Sequence, residues 1–299
     1  MDVVVNVSAA TLRLATPLII AAMAGVLSYR AGLINIALEG IMLVGAFLAV
    51  TVGFSSGSTW IGLLGACLGG GLVAALFALF VVRLRANLIV AGLATNFLAA
   101  GGTAYMLQTA YSTRGTFAPL ELQKLARVDI PLLADVPIAG NILSGHSPLV
   151  YVSWLLIPLT AIFLYRTVAG THIRAVGEYA EAARTAGIGV QRMQYLALIL
   201  GGVLCGLAGA HLSVGDLAQF REGMIGGRGF IALAAVYFAA ARPGLAALAC
   251  VLFGLFEALQ FRLQTTAGVP PEFFQMLPYV MVVGVLVLIS ARREWKRGW

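Results

Sequence analysis

Eight long apolar runs joined by short, often basic turns leave this chain few ways to fold. They cover roughly residues 11–29, 32–53, 59–82, 87–107, 149–166, 193–215, 244–262 and 275–291. A bilayer core takes about 20 mostly apolar residues per helix, so each run is a candidate crossing. A further run near 229–241 is too short to cross alone. It either spans with Met224 to Gly229 included or re-enters as a broken segment. Only 10% of the 299 residues are charged and 61% are hydrophobic, against about 25% charged in soluble domains. A soluble globular domain and a disordered chain are both excluded. The expected fold is an all-α polytopic membrane protein over residues 1–299, with eight or nine transmembrane helices, some broken or re-entrant.

Basic residues in short loops orient such a chain. Placing the Arg30 turn in the cytoplasm and alternating through nine spans puts 12 of the 19 basic residues inside. These are Arg30, Arg83, Arg85, Arg166, Arg174, Arg184, Arg192, Arg242, Arg292, Arg293, Lys296 and Arg297. Arg13, Arg114, Lys124, Arg127, Arg221, Arg228 and Arg262 fall outside, offset there by Asp2, Glu121, Asp129, Asp135, Asp216, Glu222 and Glu272. The N-terminus is then external and the C-terminus cytoplasmic. Residues 108–148 form an extracytoplasmic loop, and residues 167–192 the longest cytoplasmic one. The first run continues past Ala22-Met23-Ala24 to Leu27 with no charged leader after Met1, so it reads as a span and not as a cleaved signal.

The informative polar stretch is Thr171 to Ile188. Glu178 to Ala186 is rich in helix formers, and Gly187 suits a C-terminal stop. Glu178 and Glu181 lie in its first turn and Arg184 near its end, as the helix dipole favours. A short cytoplasmic helix with small side chains lets a partner's groove close on its backbone, while its charges fix register.

Glu181-Ala182-Ala183 with Gly187 resembles the E-A-A-x-x-x-G coupling motif of ABC importer permease subunits. Gly170-Thr171-His172-Ile173-Arg174-Ala175-Val176-Gly177-Glu178 is similar to the branch that carries simple sugars, nucleosides and branched-chain amino acids. The segments from Ala31 to Gly40 with Gly45-Ala46, and from Glu222 to Ala234, most resemble its nucleoside and simple-sugar permeases. The resemblance runs from about Pro17 to Gln264. It implies a translocation subunit of the bacterial plasma membrane without an ATPase site of its own, and no G-x-x-x-x-G-K-[ST] occurs. It further implies a separate cytosolic ATPase that uses ATP and Mg, and an extracytoplasmic substrate-binding protein. A second permease would complete the assembly, a different and longer chain; no nucleic acid takes part. The implied coupling residues are Arg174, Glu178, Glu181, Ala182, Ala183, Arg184 and Gly187. A purine or pyrimidine nucleoside is the expected solute.

Polar groups inside spans are costly against lipid and so are candidates to line a path. Asn35, Glu39, Thr95, Asn96 and Gln260 are the chosen set, with Glu257 and His211 beside them. Each has a plainer reading: Asn96 and His211 as interhelical hydrogen bonders, Glu39 as a cap or salt bridge at the start of a broken helix, Glu257 as the partner of Arg262. Gly32–Ala46 and Gly227–Ala241 form a weak internal echo of the kind transporters carry near interrupted helices.

Other leads fail on spacing. Gly53-Phe54-Ser55-Ser56-Gly57 fits G-x-S-x-G but joins two apolar runs and not a strand and a helix. His146, His172 and His211 have no metal-ligand spacing, and Cys67, Cys205 and Cys250 lie singly in apolar surroundings. The rival from another class is an ion-coupled secondary transporter of a small polar solute, for which Glu39 and Glu257 supply the intramembrane acids.

Overall fold

The computed structural model describes residues 2–128, 143–266 and 284. The run at 275–291, the basic residues beyond it, and the middle of the 108–148 loop therefore lie outside the described residues.

The order of elements follows from where apolar runs meet helix-stopping signals. Helix α1 (Asp2–Arg30) carries Pro17 within it, and α2 (Leu38–Ser56) ends on the left-handed Gly57. α3 (Thr59–Ala78) runs on as a wider π turn over Leu79–Arg83. α4 (Leu88–Tyr111) starts where the Asn87 side chain accepts from the Ile89 and Val90 N–H groups, satisfying two otherwise orphan donors. α5 (Pro148–Arg166) begins on proline, which needs no donor there. α6 (Val168–Glu178) and α7 (Ala180–Thr185) fill the next loop. α8 (Val190–Ala210) continues as a π turn over His211–Leu217, followed by the short α9 (Arg228–Phe238) and α10 (Pro243–Thr266). Two-residue strands β1 (Thr116–Phe117) and β2 (Phe220–Arg221) pair antiparallel.

Seven of these helices are long and apolar enough to cross a membrane: α1 to α5, α8 and α10. α9, at 11 residues, is not. Its place is settled by what lies level with what. Gly201 of α8 faces Ala24 and Ser28, and His211 reaches the Arg13 carbonyl, so α8 ends at the Arg13 end of α1. α10 starts beside Arg30, which binds the carbonyls of Ala240 and Ala241, and passes Ala15 at Gly254. Both helices thus run from the Arg30 end to the Arg13 end, and residues 218–242 return between them. The short run crosses as an irregular segment followed by half a helix, so the described residues make eight crossings.

The core is a seam of bare backbones. A methyl on Gly70 would sit 2.3 Å from the Gly202 carbonyl oxygen, on Gly206 2.1 Å from that of Ala66, and on Gly209 1.9 Å from that of Met42. Only glycine lets α2, α3 and α8 approach so closely. Around the seam, Ile19, Ile20, Met23, Ile41, Met42 and Phe77 are fully buried. α1 is the most enclosed helix, with 78% of its apolar window buried, and α4 the least, at 17%.

Candidate functional site

The 167–192 loop folds into two helices at the Arg30 end. α6 buries Ile173 and Val176 and presses Gly177 flat on the base of α1, where an added Cβ would meet the Arg30 carbonyl oxygen at 2.1 Å. The chain then extends at Tyr179 (φ −154°, ψ 94°) and starts again as α7. One sequence-based expectation is corrected here. Glu178 closes α6 and does not open the coupling helix, because burying Ala183 against Val176 and Val190 requires a bend between them.

α7 is short and mostly exposed. Glu181, Ala182 and Arg184 face outward, and only Ala183 is buried. Arg184 donates to Glu181 at 3.1 Å, with both side chains more than half exposed, so this pair contributes little stability. The helix stops where expected. Gly187 is left-handed (φ +79°), and the Ile188 N–H returns to the Ala183 carbonyl at 2.9 Å. Arg174 lies apart from that surface. Its Nε–H donates to the Leu164 carbonyl at 2.9 Å, and its guanidinium sits 5.0 Å from the Tyr165 ring centre.

Deeper in the bundle, the two echoing motifs meet. The Glu39 carboxylate accepts from the Gly227 N–H at 2.8 Å and the Gly229 N–H at 2.7 Å. It therefore caps α9, where an anion complements the exposed donors and the positive end of the dipole. Gly229 lies so close to the Glu39 backbone that a Cβ would sit 2.6 Å from its nitrogen. Arg228 beside this cap pairs with Glu257 of α10. The partner of Glu257 expected from sequence is Arg262; the half-helix brings Arg228 to that carboxylate.

Of the expected path residues, Asn35, Glu39 and Asn96 converge around the start of α2. Asn96 Oδ1 accepts from the Gly40 N–H at 2.8 Å, and its Nδ2 donates to the Ile36 carbonyl at 3.0 Å, making it an interhelical clamp. Asn35 Oδ1 accepts from the Ala37 N–H, while its buried Nδ2 has no partner. Thr95 donates to the Ala91 carbonyl in its own helix and borders an apolar cavity of about 730 Å³ between α2, α3 and α4. Gln260 is buried on α10, away from the other four. His211 touches Ser147 at 3.4 Å, the Arg13 carbonyl at 3.3 Å and Asp216 at 3.6 Å, tying α8 to α1 and α5.

The profile of the family described as "Branched-chain amino acid transport system / permease component" matches residues 8–286. The chain belongs to this family. The permease is 35% identical over 287 residues to the nucleoside ABC transporter permease protein NupC of Lactococcus lactis, covering 93% of this chain and 90% of that one. It is likewise 35% identical to the guanosine ABC transporter permease protein NupQ of Bacillus subtilis, over 95% and 92% of the two chains. A putative glucose ABC transporter permease protein, TsgC13 of Haloferax volcanii, is 33% identical over 95% and 92%. No solved structure matches the permease significantly. In its sequence Arg30 serves only to orient the spans, and Tyr165 is passed over. The signal available was position, since Arg30 immediately precedes the Ala31–Gly40 motif and Tyr165 ends the span before the coupling loop.

Proposed function

We propose that the chain is the non-hydrolytic membrane subunit of an ATP-driven importer for nucleosides, with simple sugars as the related alternative. The observation that carries this reading is the E-A-A-x-x-x-G segment, which forms an exposed helix at one end of an eight-crossing bundle. The nucleoside and guanosine permeases among its relatives support the solute class. In this reading the Arg30 end is cytoplasmic and the N-terminus external, consistent with Arg30, Arg83, Arg166, Arg174, Arg184 and Arg192 lying toward that end.

The partners are a cytosolic ATPase, which binds ATP and Mg, an external solute-binding protein, and a second, different permease chain. α7 seats in a groove of the ATPase through Glu181, Ala182, Arg184 and Gly187. Ala183 anchors it inward, Glu178 borders the contact from the end of α6, and Arg174 holds α6 to α5. When the ATPase pair closes on ATP, the loop moves as a unit and tilts α5 and α8, switching which end of the path is open. Glu39 and Asn96 hold the walls of that path. Of the five polar candidates, Asn35 keeps a free amide donor for a passing ribose or base, a neutral group that suits a neutral solute.

The test is uptake in vesicles carrying the permease with its partner permease, ATPase and binding protein. ATP-dependent accumulation of guanosine, abolished by Glu181→Arg at unchanged membrane level, is the expected result. Leucine uptake in place of nucleosides or sugars would overturn the solute class. Proton-driven uptake without ATP would overturn the importer reading in favour of a secondary transporter. Single cysteines at Thr185 and Gln123, probed with a membrane-impermeant thiol reagent on whole cells, check orientation. Position 123 labels and position 185 does not.

A further inference from the structure

The half-helix α9 is held at both ends by side chains of opposite charge. Glu39 caps its N-terminus, as described. At its C-terminus the Arg30 Nε–H donates to the Ala241 carbonyl at 3.0 Å and Nη2 to the Ala240 carbonyl at 3.3 Å. Those two alanines are left-handed, with φ of 47° and 52°. An L-residue with a Cβ is strained in that region, and such a conformation persists only where its surroundings enforce it. Part of the enforcement is the helix end itself, where the Ala240 N–H returns to the Tyr237 carbonyl at 3.1 Å and the Ala241 N–H to the Val236 carbonyl at 2.9 Å. The guanidinium braces the next two carbonyls, so the link from α9 to α10 is held jointly by that cap and by Arg30.

Arg30 is in turn gripped from the coupling loop. Its Nη2 also donates to the Tyr165 hydroxyl at 3.1 Å, with the guanidinium 5.9 Å from that ring's centre. Arg174 of α6 lies 5.0 Å from the same ring, and Gly177 of α6 presses on the Arg30 backbone. Among the described residues neither arginine is held by a carboxylate. Ring and carbonyl contacts can exchange without leaving a buried ion unpaired, which suits an element with two positions.

We propose that Arg30 is the positioning residue through which the coupling loop governs the half-helix. Movement of α6 shifts Arg174 and Tyr165, and Tyr165 draws Arg30 off the Ala240 and Ala241 carbonyls. The link then loses that brace, and α9 turns about its Glu39 cap. This proposal rests on the importer reading and assigns the gate that importer uses.

The experiment measures solute accumulated per ATP hydrolysed by the full complex in vesicles, for wild type, Tyr165→Phe, Arg30→Gln and Gly177→Ala. Tyr165→Phe removes one oxygen and keeps the ring, so it decides the matter should Arg30→Gln fail to assemble. The expected result is ATP hydrolysis near the wild-type rate in each assembled variant. Solute moved per ATP falls about fivefold or more in Arg30→Gln, the lower range of site-to-site couplings, and by less in Tyr165→Phe. Unchanged ratios would overturn the proposal. So would equal losses of hydrolysis and transport, which mark a merely structural role. Failure of the wild-type complex to accumulate solute with ATP would instead sink the importer reading itself, and this proposal with it.

Discussion

Glycines along the α2, α3 and α8 seam sit at close helix contacts, whereas Gly101 and Gly102 in the middle of α4 sit in open space. Gly62, Gly70, Gly206 and Gly209 each leave under 2.5 Å between an imagined Cβ and a carbonyl oxygen of the facing helix. Gly101 and Gly102 of α4 meet nothing within 4 Å. The seam is a dry joint that needs the smallest residue, and α4 rests on the start of α2 through Gly92, Asn96 and Ala99 and leaves the rest of its length loosely packed. Between them lies the apolar cavity of about 730 Å³, bordered by Phe47, Leu76, Val90, Leu98 and Met106 among others. Thr95 and Thr103 at its edge donate to their own helix. A polar solute therefore finds little to bind there, and the contrast separates a rigid half of the bundle from a half built with slack.

The largest effect expected from testing this contrast is at the seam. Gly206→Val forces α3 from α8 and costs about 3 kcal/mol, the upper range for overpacking; it is read as lost monodispersity and an earlier thermal transition in detergent. Next comes the tie of α4. Asn96→Leu removes two bonds to the α2 segment, at about 1 kcal/mol in a membrane setting. It also raises thiol labelling of a cysteine placed at Ala94, which borders the cavity. Gly101→Ala in α4 should gain about 0.5–1 kcal/mol through helix propensity alone; a loss of stability there would mean that a neighbour covers that face. Smallest is Glu181→Gln, which changes unfolding by well under about 1 kcal/mol because its pair with Arg184 is solvated, yet lowers coupled transport. A stability loss as large as the seam's would show α7 to be structural.

The sequence set out most of the crossings, because the length and apolarity of a span are local properties. Of the eight long runs it marked, seven are long helices among the described residues and the eighth lies outside them, and it left open how residues 224–241 cross. That answer needed Gly201 level with Ala24 and Gly254 level with Ala15, which are relations between distant residues. The short helix of the 167–192 loop was legible in composition but begun too early, since the bend at Tyr179 comes from where Ala183 is buried and not from propensity. Glu39 was readable as a cap, because an acid at the start of a broken helix has few other uses. Its partners, Gly227 and Gly229, were out of reach, being 188 and 190 residues away. Glu257 was matched in sequence to Arg262, and folding also brings Arg228 to it from 29 residues away.

That separation also bears on how the molecule is made. α2 emerges from the ribosome 188 residues before the backbone donor that satisfies its carboxylate. At about 5–20 residues per second, the interval is roughly 10–40 s. Throughout it, a nascent hairpin carries an acid that lipid does not accommodate and whose partners in the finished bundle do not yet exist. Membrane insertion of the first spans must therefore shelter Glu39 until Gly227 arrives. Co-translational assembly of this chain is then paced by its seventh crossing, well after its second has been threaded.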